Sequence, residues 1–192
     1  MPYISNLFLA LLFIVIGLPS QALCNTPESK NVTIQELTAT TSETHLIMFA
    51  TLKNSFTTEM VEILHSGIPL RFTFFVELFK TESNWPEEQI IAFRFEHVMT
   101  FDTLKEAYLV TLEEDNNKIQ SFKSLFEAQK VINEINGAKV VSLDQIIPDN
   151  LYKLKIKADL YQKTLPLSLQ SFLPFLSWGD IETDWHEIEF KY

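Results

Sequence analysis

The sequence holds one cysteine, Cys24, so it can build no internal disulfide, no cysteine-based metal site and no redox pair. Its four glycines, Gly17, Gly67, Gly137 and Gly179, are scattered, and none forms a phosphate-cradling loop. Basic runs are missing too: 15 Lys and Arg stand against 25 Asp and Glu, a formal net charge of −10. A nucleic-acid binder needs a positive surface to displace counterions from phosphates, so this balance argues against nucleic acid as a partner. It also disfavours electrostatic docking on anionic lipid, though not apolar insertion. The four histidines, His45, His65, His97 and His186, fall in no metal-binding spacing, and there is no G-x-S-x-G elbow. No catalytic residue, cofactor or metal is expected.

What the chain does have is apolar surface. Its hydrophobic fraction is 46%, with 16 Phe, enough for a real core in one domain. The stretch "NLFLALLFIVIGLPSQALC" carries an unbroken apolar run from Leu7 to Leu18. That run has signal-peptide length and falls short of the roughly 20 residues that span a bilayer. Pro19 breaks it, and small residues follow. Cleavage before Asn25 places Ala22 and Cys24 at the required small positions; cleavage before Leu23 places Ser20 and Ala22 there. A retained anchor is the alternative, since "MPYISN" supplies no Lys or Arg. Leu23 is not small, which argues against a lipidated Cys24. Residues 1–24 therefore read as a signal segment, 25–31 as a linker and 32–192 as one domain. Export to the periplasm follows, with tethering to the inner membrane if the segment is kept.

Within that domain, residues 31–40 and 44–55 read as two strands with a turn near Ser42–Glu43. "TTEMVEILHSG" reads as a helix capped by Thr57 and stopped by Gly67. In "IPLRFTFFVELFK", Leu70, Phe72, Phe74, Val76 and Leu78 share one parity and Arg71, Thr73 and Glu77 the other. Strands follow in "QIIAFRFEHVMTFD", "EAYLVTLEED" and, after a turn at "EDNNK", "IQSF". "SLFEAQKVINEING" predicts a helix over 124–137, with a Ser124–Glu127 capping box, a Leu125, Ala128, Ile132, Ile135 stripe and a Gly137 stop. "AKVVSL" predicts a short strand. "LYKLKIKADLYQ" alternates Tyr152, Leu154, Ile156, Ala158 and Leu160 against Lys153, Lys155, Lys157 and Asp159. A last strand lies near "DWHEIEFKY". The fold class is mainly β with inserted short helices, an antiparallel β-sandwich or curved sheet in a single domain.

The stretches "SGIPLRFTFFVELF" (66–79), the Trp85 turn, "TFDTLKEAYLVT" (100–111), the helix around Ala128, "LYKLKIKADL" (151–160), "LPLSLQSF" (165–172) and "TDW" (183–185) occur in a distinctive order. That order resembles an uncharacterised family of exported bacterial proteins known only as a domain of unknown function. Genes of that family often neighbour a nitrogen-regulation-type sensor kinase. The departures are "MTF" (99–101), where a tyrosine is expected before Asp102, and the more acidic balance. The resemblance implies export and a domain spanning most of the chain, and it carries over no catalytic residues.

Three functions compete. The first is a non-catalytic envelope domain that binds a membrane or envelope protein, possibly a sensor kinase as the resemblance implies. The second is a carrier of lipid or another apolar small molecule, motivated by Phe75 and Phe79 on the nominally polar parity of their strand; the alternative is that helices bury both rings. The third is an undetected hydrolase, for which Asp184 and His186 in "DWHEIE" are the best acid–base or metal candidates. Turn carboxylates such as Glu113, Glu114 and Asp115 read as solvated charge. His97 reads as packed and hydrogen-bonded. The apolar segment "LPLSLQSFLPFLSW" is too short and too proline-broken to span a bilayer, and reads as core closure over the sheet. Phe75, Phe79, Leu167, Phe175 and Trp178 are the candidate partner or ligand surface. Membrane contact is expected only through the N-terminal segment, if it is not cleaved.

Overall fold

The computed structural model describes residues 31–81, 86–160 and 181–192. Along them run β1 (Thr33–Thr41), β2 (His45–Lys53), α1 (Thr58–His65), β3 (Leu70–Thr81), β4 (Glu88–Asp102), β5 (Ala107–Leu112) and β6 (Lys118–Phe122). Then come α2 (Leu125–Asn133), β7 (Glu134–Ser142), β8 (Leu151–Asp159) and β9 (His186–Lys191). The strands form two antiparallel sheets, ordered β1-β2-β7 and β6-β5-β4-β3-β8-β9. This is the mainly β architecture with short helices that the alternation implies.

The period-2 pattern decides which sheet face is inside. Phe72, Phe74, Val76 and Leu78 of β3 are fully buried, as are Leu154, Ile156 and Ala158 of β8. They join one core with Leu46 and Met48 of β2, Met60 and Leu64 of α1, and Ala128 and Ile132 of α2. Each Phe buried this way contributes about 1.5–3 kcal/mol relative to an exposed ring. Helix α1 starts where Thr57 leaves the extended region: the Met60 N–H donates to the Thr57 hydroxyl at 3.3 Å. In its first turn Glu59 is held below the usual carboxylate range by a hydrogen bond to its own backbone N–H, then by the Thr57 hydroxyl. Past the helix, Gly67 turns the chain at φ +89°.

The second helix departs from expectation. It ends at Asn133, and Glu134 opens β7 instead of continuing to Gly137. The ladder with β2 accounts for this: Glu134 pairs with Thr51, and Ile135 with Ala50, so neighbouring strand groups satisfy that backbone. Ile135 stays buried either way, which is why a helical stripe predicted it correctly for the wrong element. The capping box does not form, since the Ser124 side chain makes no cap hydrogen bond. Gly137 is not a helix stop. The register runs Phe49–Asn136 and then Met48–Ala138, which leaves Gly137 as an extra residue at φ +79° in a β-bulge.

Candidate partner-binding face

Alternation that buries Phe74 turns Phe75 and Phe79 to the opposite face of the six-stranded sheet. Register places Lys157 across from Phe75 and Lys153 across from Phe79, with Lys155 between them opposite Glu77. The rings are half-buried, and lysine side chains cover them rather than helices, whose buried residues all join the core on the other face. Lys157 Nζ lies 5.6 Å from the Phe75 ring centre, and Lys155 Nζ lies 5.7 Å from that of Phe79. Both ammonium groups also reach the Trp185 ring, at 5.8 and 5.0 Å. Cations over aromatic faces at such exposed sites contribute about 0.5–1 kcal/mol each.

Carboxylates hold the lysine row in place. Lys153 Nζ donates to Glu87 Oε1 at 2.6 Å and lies 3.5 Å from Glu189, and Lys157 pairs with Glu182 at 3.0 Å. The hydrogen bond to Glu87, backed by the charges of Glu87, Glu187 and Glu189, raises the Lys153 ammonium above its ordinary value. The result is a face of aromatic rings under charged stems, with Trp185 39% exposed. Aromatic side chains are enriched in protein-recognition surfaces, and three of them stand together on this face.

The opposite face holds a different constellation. His97 is fully buried, its ring against Phe74 and Phe95. Its Nδ1–H donates to the Ile132 carbonyl at 2.7 Å, and Nε2 meets Glu114 Oε1 at 2.7 Å. A carbonyl only accepts, so Nδ1 is the donor to Ile132, and Nε2 is left to face the Glu114 carboxyl group. One ring therefore ties β4 to α2 and to the 3-10 turn Glu113–Asp115. The other Glu114 oxygen, Oε2, is buried and has no partner among the described residues. Glu114 was expected as solvated turn charge; instead it is 12% exposed, because the turn folds back over His97.

The sequence profile of Domain of unknown function DUF4390 matches residues 29–189. The chain belongs to this family. No curated protein and no solved structure matches it.

The predicted surface residues divide. Phe75 and Phe79 lie together on the outer face of the DUF4390 sheet, whereas Leu167, Phe175 and Trp178 lie outside the described residues. So do Trp85, Cys24 and the N-terminal segment. Asp184 and His186 are both exposed beside the edge strand β9, with His186 opposite Ile156 in the ladder. Among the described residues no group of three His, Cys, Asp or Glu could hold a metal ion. Sequence reasoning missed Trp185 as the third ring of the outer face; its place beside the β8–β9 ladder was the available signal. It also missed the partner of His97. A further cleft, of about 390 Å³, lies between Arg94, Arg71, Glu96 and Glu113 at the end of β5.

Proposed function

We propose that this DUF4390 domain is an exported, non-catalytic component of the cell envelope that binds a protein partner, with a membrane signalling protein such as a sensor kinase as the partner class. The observation that carries the reading is the outer face of the large sheet. There Phe75, Phe79 and Trp185 present aromatic surface under Lys155 and Lys157, away from the core. Aromatic rings standing outside the core are the component of such a face that recognition surfaces are enriched in. The apolar signal-like segment over Leu7–Leu18 supports export, and the resemblance noted from the sequence supports the signalling context.

The carrier reading has less support. Two clefts among the described residues are rimmed by charged groups such as Arg71, Glu96, Glu114 and Glu134, which suit an acyl chain poorly.

The test places a photo-crosslinking residue at position 79 of the full chain, expressed in its native host. The expected product is one crosslinked membrane protein, a sensor kinase, together with altered kinase output on deletion. With the crosslinker at 79, Phe75→Glu should remove the product and leave the melting temperature in place. Recovery of monomer alone, with unchanged kinase output on deletion, overturns the proposal.

A further inference from the structure

Strand β4 is 15 residues long, but β5 accompanies only His97–Asp102. From Ile91 to Phe95, β4 has β3 on one side and, among the described residues, no strand on the other. The direction of its backbone groups follows from the neighbouring ladders. The Thr183 N–H donates to the Ala158 carbonyl at 2.9 Å, and the Leu160 N–H donates to the Ile181 carbonyl at 2.8 Å. Even-numbered residues of β8 thus bond away from β3, and odd-numbered ones bond toward it. Register matches Lys157 with Phe75 and Phe74 with Phe95, so alternation makes Phe93 and Phe95 bond to β3. Ala92 and Arg94 then aim their N–H and C=O groups at the open side. Glu96 obeys the same rule: its N–H donates to Glu113 Oε2 at 2.8 Å, a carboxylate standing where a neighbouring strand's carbonyl would be.

Side chains along this edge differ by face. On the outer face Arg71 is paired with Glu96 at 3.0 Å, while Arg94 is exposed and makes no ion pair among the described residues. On the inner face Ile91 and Phe93 are half-buried at the rim of the core. A strand added here would project its side chains alternately beside these two rows. A carboxylate would meet Arg94, and the apolar groups on either side of it would meet Phe93 and Phe95.

We propose that the open edge of β4, Ile91–Phe95, takes an extended segment of a partner protein as an added strand, and that this segment alternates apolar residues with a carboxylate opposite Arg94. A second copy fits less well. Antiparallel self-pairing centred on the open stretch sets Arg94 opposite Ala92, which leaves the guanidinium without a carboxylate. Each copy also carries a net charge of −10. The proposal rests on the partner-binding reading and names its mode.

The probe is an acetylated, amidated pentapeptide of sequence serine-valine-glutamate-valine-serine, titrated into the isotope-labelled full chain and followed by amide NMR. The Ala92 and Arg94 amides should shift and exchange more slowly with solvent. Replacing the glutamate with lysine, or making Arg94→Gln, should weaken binding roughly two- to fivefold. Ala92→Pro removes an N–H that has no partner among the described residues, so it should abolish binding with little change in melting temperature. Arg94→Gln keeps the test open if the proline variant fails to fold. No perturbation at Ala92 and Arg94 overturns the proposal, as does equal perturbation at the β6 edge or indifference to the sign of the peptide's charge. Self-association that Ala92→Pro abolishes also overturns it, and assigns the edge to a second copy. A negative peptide result leaves crosslinking from position 79 unaffected, so the two failures are distinguishable.

Discussion

Across β3 the ladders to β4 and β8 shift register once, between Leu78 and Phe79, whereas the two ladders of the small sheet shift three times. In the large sheet strict alternation fills the core with every second side chain. In the small sheet extra residues change which side chains face inward. Val140 and Val141 are adjacent and both buried, because the register skips Val140 between Lys139 and Val141. On β1 one extra residue falls between Gln35 and Thr38, where Glu36 takes φ +57°, and Ile34 and Leu37 are both buried three positions apart. Side-chain packing sets the large sheet, and backbone conformation shapes the small one.

That contrast can be broken, starting from the large sheet. Phe74→Ala removes a fully buried ring from its centre and should cost about 3–5 kcal/mol in urea unfolding. His97→Leu leaves the Glu114 carboxylate buried alone and should cost about 3–5 kcal/mol, most of it recovered on adding Glu114→Leu. A double variant no more stable than His97→Leu would show that the pair does not act as a unit. In the small sheet Gly137→Ala should cost about 1–2 kcal/mol. The added Cβ meets the Phe49 ring at an ordinary 3.8 Å, so the cost comes from the positive φ alone. Glu36→Gly relieves the same backbone strain but adds chain entropy and loses the 3.1 Å bond from Thr51, so it should shift stability by less than about 0.5 kcal/mol.

The outer face offers a pH test. Glu87 raises the Lys153 ammonium above 10.5, so the stability it contributes is full below that value and is lost as pH rises through the raised one. The difference in melting temperature between the native chain and Lys153→Met should therefore be constant near neutrality and shrink in strong alkali. A difference that persists there would assign it to the lysine stem and not to its charge.

The same contrast explains what was legible in the sequence. The inward rows of β3 and β8 could be read residue by residue, because their mutual ladder has no bulge to disturb period 2. Residues 124–137 misled because Ile132 and Ile135 are three apart, a helical spacing, and because glycine serves a bulge as readily as a helix stop. Glu114 was misjudged because its partner lies 17 residues back, across a hairpin. Only the register that sets His97 opposite Leu112 brings the turn beside the ring. The outer aromatic face was half legible: Phe75 and Phe79 break the polar parity of β3, while Trp185 joins them only through pairing of β8 with β9.

Strand β1 packs against β9 as well as pairing with β2, although nearly the whole domain separates them in the chain. As the chain emerges from the export machinery under the proposed localisation, the β1–β2 hairpin can form at once, but its contact with β9 must wait until β9 has followed. Contacts of such separation are late and slow to close. The domain therefore completes its folding only once β9 has arrived, and loss of β9 would leave the first hairpin without that contact. Quality control would register such a truncation as a folding defect, not as a missing tail.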